Sequence, residues 1–279
     1  MRVLVTGAAG MLGHRVVEVA RERGHDAVGS DLPELDLTDA VAAAGLVADV
    51  APDAVVHCAA YTDVDGAEAD ERTAHRVNVD ATANVGAAAR DASAFVVALS
   101  TDYVFGGDAD RPYVEDDEPA PRTAYGRTKL DGERALDGLG DGRAIARTAW
   151  LYGDGGRNFV DTMLALGAQR DEVSVVSDQV GCPTWTGHLA PALLEIAERR
   201  LPGIHHAAGG GRCSWYDLAV AVFERAGVDC AVRAVTSEEF VRPAPRPRWS
   251  VLGSARADAV RLPPWQDGLA AYLSEKGIA

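Results

Sequence analysis

The sequence predicts a doubly wound α/β fold built on a parallel sheet. Short apolar segments at 2–6, 54–58 and 95–99 have the length and composition of buried strands. Small or polar residues and then a helical pattern follow the segments, and this alternation is typical of parallel sheets. The chain has 279 residues, of which 47% are hydrophobic, and this is sufficient for a large core.

The first strand-to-helix turn contains three glycines. Gly7, Gly10 and Gly13 follow strand 2–6 directly, and apolar residues then recur at helical spacing as far as Gly24. Glycines let the backbone approach a pyrophosphate, and the N-terminus of the helix stabilises its charge. The position of this turn favours a dinucleotide site over an ordinary turn.

An acidic residue ends the second predicted strand, 27–30. Asp31 lies eighteen residues beyond Gly13, where a carboxylate can bind both ribose hydroxyls of NAD and repel the 2′-phosphate of NADP. The sequence therefore favours NADH, with NADPH as the alternative. The competing interpretation is that Asp31 only opens a turn. Asp36 and Leu37 come next, where such folds often pass the adenine.

A long helix is predicted over 68–91, with two asparagines inside it. Asparagine is unfavourable in the middle of a helix, because its side chain competes for backbone hydrogen bonds. Asn78 is therefore interpreted either as part of a water or proton path or as a solvent-exposed residue. The next strand, 95–99, leads to Thr101, whose hydroxyl can donate a hydrogen bond to a substrate carbonyl at the carboxyl edge of the sheet.

Tyr125 and Lys129 form the strongest candidate for chemistry. They are four residues apart and so share one face of a helix. A cation near the phenol favours the phenolate, which lowers the pKa of the tyrosine towards a useful range for proton exchange. The alternative is a surface helix that carries an aromatic residue and a lysine at a common spacing.

The alternation becomes less regular in the second half of the chain. The predicted elements there are strands at 143–147, 173–176 and 203–207, helices at 158–166, 188–200 and 214–226, and a structured loop at 178–184. We expect a Rossmann-type dinucleotide-binding domain formed by 1–149 with 186–227. A smaller substrate-binding lobe is expected from 150–185 with 228–279.

Composition excludes several classes of protein. The net charge of −15 opposes binding to nucleic acid. No apolar run is long enough to span a membrane, and the chain begins with a strand pattern instead of a signal sequence, so a cytoplasmic location is expected. Four cysteines are scattered without paired spacing, which predicts neither a metal site nor disulfides. The acidic balance fits a high-salt cytoplasm or a GC-rich genome equally well.

Several motifs together resemble one superfamily. Besides the glycine turn, Thr101 and the Tyr125/Lys129 pair, they are the stretch 59–65, STDYVF at 100–105, RTAWLYG at 147–153, Asn158 with Phe159, DQVGCPT at 178–184, GIHHAAG at 203–209, SWYDLA at 214–219 and APRP at 244–247. In this order they resemble the extended short-chain dehydrogenase/reductase superfamily, and within it the dTDP-4-dehydrorhamnose reductases.

The resemblance implies a reaction and a role for each catalytic residue. A nicotinamide would deliver hydride to the C4 ketone of dTDP-4-dehydrorhamnose, which gives dTDP-L-rhamnose. Tyr125 would donate the proton to the carbonyl oxygen. Lys129 would lower the phenol pKa and hold the nicotinamide ribose, while Thr101 would orient and polarise the carbonyl.

The resemblance also implies binding residues. Those expected around the cofactor are Gly10, Met11, Leu12, Ala60, Tyr61, Thr62 and Leu99. Asp102, Tyr103 and Trp150 would shape the sugar pocket. Arg246 would contact the nucleotide diphosphate, with a solvated surface position as its alternative.

Two other functions stay open at this point. One is a nucleotide-sugar epimerase or dehydratase of the same superfamily, although Asp102 is followed by Tyr103 where a dehydratase places glutamate as its second acid or base. The other is a non-catalytic, nucleotide-binding regulatory subunit, which the intact Tyr125, Lys129 and Thr101 oppose. The nucleotide on the sugar, a homodimer and any bridging metal are not determined by the sequence.

Overall fold

A computed structural model describes residues 1–33 and 35–278, and it contains the predicted parallel sheet. Its six strands are β1 (Arg2–Thr6), β2 (Asp26–Ser30), β3 (Ala54–His57), β4 (Phe95–Thr101), β5 (Arg143–Thr148) and β10 (Gly203–His206). They lie in the order β2, β1, β3, β4, β5, β10, and every neighbouring pair is parallel. The predicted α/β class is confirmed.

The described residues contain ten α-helices. They are α1 (Gly13–Glu22), α2 (Ala40–Val50), α3 (Val64–Ala69), α4 (Glu71–His75), α5 (Ala81–Asp91), α6 (Ala124–Ala135), α7 (Phe159–Gly167), α8 (Thr186–Arg199), α9 (Trp215–Ala226) and α10 (Trp265–Glu275). Of these, α7, α9 and α10 pack in the core of the smaller lobe. None of the ten helices is both long and apolar enough to cross a membrane.

Alternate residues of the strands build two layers of core. Val3 and Val5 of β1 pack with α1 and α8 on one face of the sheet. Leu4 points to the other face, where it packs with α2 and α5. Because both faces are covered, the open edge for a ligand is the carboxyl end of the strands.

The prediction of one continuous helix over 68–91 is wrong. The chain forms α3, breaks at Asp70, forms α4 and then makes a π-helical turn at Arg76–Asp80 before α5. Asp70 has φ −141°, and its carboxylate accepts a hydrogen bond from the Thr73 N–H, so it caps α4 instead of continuing α3. An aspartate favours this capping position over a helix interior.

Asn78 lies in the π-helical turn and is fully buried, so the prediction that it is exposed is wrong. Its Oδ1 accepts the Tyr61 N–H at 2.9 Å, and its Nδ2 donates to the Tyr61 carbonyl at 3.2 Å and to Thr128 Oγ1 at 3.0 Å. Thr128 belongs to α6. Asn78 therefore ties the loop after β3 to the helix that carries Tyr125, and these bonds leave it no role as an open proton path.

The smaller lobe has its own strands and core. Its strands are β6 (Leu151–Tyr152), β7 (Glu172–Val176), β8 (Val180–Gly181), β9 (Thr184–Trp185), β11 (Cys213–Ser214) and β12 (Ala231–Val235), which pair as β6 with β9, β7 with β12 and β8 with β11. Leu218 and Phe223 of α9 lie in this second core. Residues 186–227 were expected to belong wholly to the Rossmann domain, whereas we propose a boundary between β10 and α9.

Candidate active site

A cleft of about 610 Å³ opens at the carboxyl end of the sheet. It brings together most of the residues singled out in the sequence: Gly7, Gly10, Met11, Leu12, Gly13, Asp31, Asp36, Leu37, Ala60, Thr62, Leu99, Thr101, Asp102, Tyr103, Tyr125, Lys129 and Trp150. Tyr61 and Arg246 are not among the lining residues in the part of the chain that the structure describes. The cleft joins the glycine turn to the Tyr125 helix, so a nucleotide and a reacting group can share it.

The glycine turn folds tightly upon itself. Gly7 has φ +67°, and a Cβ placed on Gly13 would lie 2.0 Å from the Gly7 carbonyl oxygen. The Gly10 N–H donates to that same oxygen at 3.0 Å. Side chains are therefore excluded from the inside of the turn, and the backbone at the start of α1 can approach a phosphate group.

Asp31 lines the cleft and also supports the glycine turn. Its Oδ2 accepts a hydrogen bond from the Ala9 N–H at 2.7 Å, and its Oδ1 accepts one from the Leu32 N–H at 2.8 Å. The second bond is the local turn contact of the competing interpretation. Both bonds fix the orientation of the carboxylate at the rim of the cleft.

Tyr125 stands in the first turn of α6, which Thr123 caps by accepting the Gly126 N–H at 2.9 Å. Burial raises the pKa of Tyr125 to about 12, while a hydrogen bond with the Thr101 hydroxyl lowers it and the charge of Asp102 raises it. The phenol thus keeps its proton at neutral pH. This is the form that can donate a proton to a carbonyl oxygen.

The expected lowering of the Tyr125 pKa by Lys129 is wrong for this structure. The Lys129 ammonium donates to the Leu99 carbonyl at 2.7 Å, and burial dominates the titration of both residues. Burial lowers the pKa of Lys129 to about 8, although Glu133 and Cys58 favour its charged form. The low polarity around the pair outweighs the attraction that the spacing suggested.

Asp102 lines the cleft as a buried carboxylate. This buried residue accepts a bond from the Thr101 hydroxyl at 3.0 Å through Oδ1. Its Oδ2 has no hydrogen-bond partner among the residues that the structure describes. Burial raises the Asp102 pKa to about 6, against the lowering effect of the Ser250 and Thr101 hydroxyls. A buried acceptor without a partner is costly and suits a ligand hydroxyl.

Trp150 forms an aromatic wall with Trp215, to which the sequence analysis assigned no role in the site. Its ring stacks on Trp215 with centroids 3.5 Å apart and an angle of 4° between the planes. Trp215 also lines the cleft. Its position in the chain gave no signal of this role, because α9 approaches the cleft only through the packing of the smaller lobe.

Arg246 lies in a second cavity, of about 420 Å³, instead of the main cleft. Its guanidinium binds both carboxylate oxygens of Asp65, each at 2.9 Å. Tyr103 lines both cavities, so they share a wall. Arg122 and Arg248 also line the second cavity and were not singled out in the sequence.

The structure offers no candidate metal centre within residues 1–33 and 35–278. No three or more histidine, cysteine, aspartate or glutamate side chains are grouped there in a way that could hold an ion.

Comparison with known proteins identifies the family. The family model described as the RmlD substrate binding domain matches residues 1–277. A dTDP-4-dehydrorhamnose reductase of Streptomyces griseus is 46% identical over 270 residues, which cover 94% of this chain and 89% of the relative. The chain belongs to the dTDP-4-dehydrorhamnose reductase family.

Two further relatives describe the breadth of this reductase family. A probable dTDP-4,6-dihydroxy-2-methyloxan-3-one 4-ketoreductase of Streptomyces antibioticus is 46% identical over 272 residues, or 96% of this chain and 92% of the relative. The crystal structure of a Bacillus anthracis dTDP-4-dehydrorhamnose reductase in complex with NADP has a TM-score of 0.95 and 37% identity, and covers 98% of this chain and 99% of that one.

Replacement of Gly13 by alanine tests whether the glycine turn binds the dinucleotide of these reductases. The added Cβ would collide with the Gly7 carbonyl, so the turn must open. We expect NADH to bind at least about tenfold more weakly, a loss of about 1.4 kcal/mol. Fluorescence titration with NADH measures this on variants that keep the wild-type circular dichroism spectrum.

Gly45→Ala is the matched control. Gly45 lies within α2, and no heavy atom of the described chain lies within 4 Å of its added Cβ. We expect unchanged binding and about 0.5–1 kcal/mol of added stability. Wild-type affinity in folded Gly13→Ala would contradict the assignment of the turn.

Proposed function

We propose that this protein reduces the C4 ketone of dTDP-4-dehydrorhamnose to dTDP-L-rhamnose with a nicotinamide cofactor. One observation carries the proposal: Tyr125, Thr101 and Lys129 meet in the cleft that also contains the glycine turn. A proton donor, a hydroxyl that can polarise a carbonyl and a buried cation are the groups that ketone reduction needs from a protein.

The residues of the cleft fit a nicotinamide dinucleotide. Gly7, Gly10 and Gly13 leave the space that a Cβ would fill at the pyrophosphate position. Asp31 stands at the rim, where a ribose would lie, and Lys129 at the far end near the reacting group. A bound nicotinamide supplies the hydride.

The side chains would handle the carbonyl oxygen and its proton. Thr101 and Tyr125 hydroxyls lie together, so both can donate hydrogen bonds to that oxygen. Tyr125 then gives up its proton as negative charge develops there. Lys129, one helical turn away, would stabilise the phenolate that remains, since a buried anion needs a nearby cation.

The sugar and the nucleotide would occupy adjoining cavities. Asp102 Oδ2 would accept a sugar hydroxyl, and the Trp150 ring would cover one face of the sugar. Arg246 lies in the second cavity, on the other side of Tyr103 from the main cleft, and would bind the diphosphate there. Its guanidinium would then interact with both Asp65 and the ligand. Arg122 and Arg246 of the second cavity are paired with Asp108 and Asp65, and Arg248 adds a further positive charge that would attract an anion.

The second candidate substrate is another dTDP-linked 4-keto sugar. The Streptomyces antibioticus relative, at 46% identity, bears the name of a different dTDP-sugar 4-ketoreductase. The same catalytic residues would serve either sugar. A cytoplasmic location stays a prediction from the sequence, and a homodimer stays an open alternative.

Tyr125→Phe tests the proton donor. Loss of the phenol proton should lower kcat by about 100-fold or more with little change in KM, because proton donation contributes roughly that factor in the transition state. The assay follows NADH oxidation with dTDP-4-dehydrorhamnose and with a second dTDP-4-keto sugar. Faster turnover of the second sugar by the wild type would favour the second candidate substrate.

Tyr216→Phe provides the control for this substitution. Tyr216 is half-buried on α9 and is not among the described residues that line the two cavities. Its variant should retain wild-type rates. Equal rates for Tyr125→Phe and the wild type would exclude Tyr125 as the donor.

Asp31→Asn tests the preference for NADH. The substitution removes the negative charge and keeps an acceptor for the Ala9 N–H. We expect the ratio of kcat/KM for NADPH to that for NADH to rise at least about tenfold, because repulsion of the 2′-phosphate is relieved. Asp26→Asn, the same change at an exposed position of β2, should leave the ratio unchanged. A wild type that prefers NADPH would refute the role of Asp31.

A further inference from the structure

A buried ion pair lies one helical turn beyond Lys129. Arg147 of β5 donates to Glu133 of α6 through two parallel bonds, Nε to Oε1 at 2.9 Å and Nη2 to Oε2 at 2.6 Å. The side chains are only 1% and 7% exposed. Neither residue is among those that line the main cleft in the described ranges. Glu133 and Arg147 can therefore affect the reaction only through other residues.

The pair belongs to a set of bonds between the end of β4 and one face of α6. Ser100 donates to Glu133 Oε1, the Leu99 carbonyl accepts the Lys129 ammonium, and the Thr101 hydroxyl lies near enough to the Tyr125 phenol to affect its pKa. Three consecutive strand residues thus contact three helix residues at successive turns. Glu133 occupies the innermost of these positions, behind the lysine.

A buried ion pair of this kind needs an explanation other than stability. Removing two charges from water costs about as much as their attraction returns, and a pair of apolar residues often serves stability better. Here the carboxylate has a second partner, Ser100, and a cation next to it, Lys129, that it does not bind directly. Its charge favours the protonated form of Lys129.

Glu133 is the stronger of the two groups that favour the protonated form of Lys129, and Cys58 contributes less. His57 is the last residue of β3, and Cys58 follows it. Burial lowers the pKa of His57 to about 3 and raises that of Cys58 to about 12, so both are neutral at neutral pH. Tyr125 also stays neutral there, and Asp102 bonds to Thr101 on the substrate side of the cleft.

We propose that Glu133 is a positioning residue that keeps the Lys129 ammonium charged and directed at the Leu99 carbonyl. Arg147 limits the effect of Glu133 on Lys129, because its guanidinium holds the carboxylate in place and offsets part of the negative charge. The consequence for catalysis rests on the proposed function, in which a charged Lys129 stabilises the phenolate of Tyr125. The effect on Lys129 itself does not depend on any substrate.

The chain makes a direct measurement straightforward, because Lys129 and Lys276 are its two lysines. Growth on 13C-lysine gives two side-chain signals, and Lys276→Arg assigns them. Burial tends to lower the pKa of Lys276, but its bonds to Asp154, Tyr272 and Asp161 raise it above the ordinary value. The pKa of Lys129 is about 8, so the two signals titrate separately in the ligand-free protein.

The two members of the ion pair should shift this titration in opposite directions. Glu133→Gln removes the favourable charge and leaves Arg147 unopposed, which should lower the pKa of Lys129 by about one unit or more. Arg147→Met leaves the carboxylate unopposed and should raise it. Glu133→Asp keeps the charge and should restore a value near the wild type. Asp131→Asn, an equal change of charge on the same helix at a half-exposed site, should leave it unchanged.

Activity provides the second readout. Because Lys129 is charged below its pKa, turnover should fall as the pH rises through that value, and the fall should begin at lower pH in Glu133→Gln and at higher pH in Arg147→Met. Shifts of the Lys129 signal in the same direction for both variants, or in neither, would overturn the proposal. If Glu133→Gln does not fold, Arg147→Met decides alone: a raised Lys129 pKa supports the proposal, and an unchanged or lowered one refutes it. A wild type without turnover would instead refute the proposed function, whatever the lysine signals do.

Discussion

The site depends on the contact between the end of β4 and the first two turns of α6. β4 ends with a hydroxyl, Thr101, next to the Tyr125 phenol, and its Leu99 carbonyl accepts the Lys129 ammonium. A shift of either element by one residue would point the wrong side chains into the cleft. Gly132 allows the π-helical turn to approach α6 closely, since a Cβ there would lie 2.3 Å from the Asn78 carbonyl oxygen. The π-helical turn and Asn78 therefore hold α6 in its position.

Burial, more than any neighbouring charge, determines how the site titrates. Burial keeps the Tyr125 phenol protonated and lowers the pKa of Lys129. It also brings the pKa of Asp102 to about 6. The chemistry that we propose then follows from one condition, the burial of the titrating side chains, which lets an acid keep its proton until a stronger base develops on the substrate. The cation becomes important at that moment, when the phenolate forms.

Local spacing explains what could be predicted from the sequence. The glycine turn, Asp31 and the Tyr125/Lys129 pair are each set by the geometry of a few adjacent residues, and the structure brings all of them to one cleft. What the sequence did not reveal depends on contacts between distant segments. Asn78 binds the backbone of Tyr61 and the Thr128 hydroxyl. Arg246 binds Asp65, and Trp215 reaches the cleft from α9.

The titration of Lys129 shows the limit of reasoning from spacing alone. A spacing of four residues on α6 correctly predicts that Tyr125 and Lys129 line the same cleft. It does not predict the direction of the pKa change, which depends on how much water the rest of the fold excludes. The role of the Glu133 carboxylate could not be predicted from spacing either. It depends on a contact with Arg147, which lies fourteen residues later in the chain, on a central strand.

Hydride transfer in this cleft is tested most directly with NADH that carries deuterium at both hydrogen positions of its reducing carbon. If the nicotinamide transfers hydride to the ketone, turnover of dTDP-4-dehydrorhamnose in ordinary water places the deuterium at C4 of the sugar and nowhere else. NMR of the product measures this. Product without deuterium at C4 would contradict a simple reduction in this cleft and indicate different chemistry.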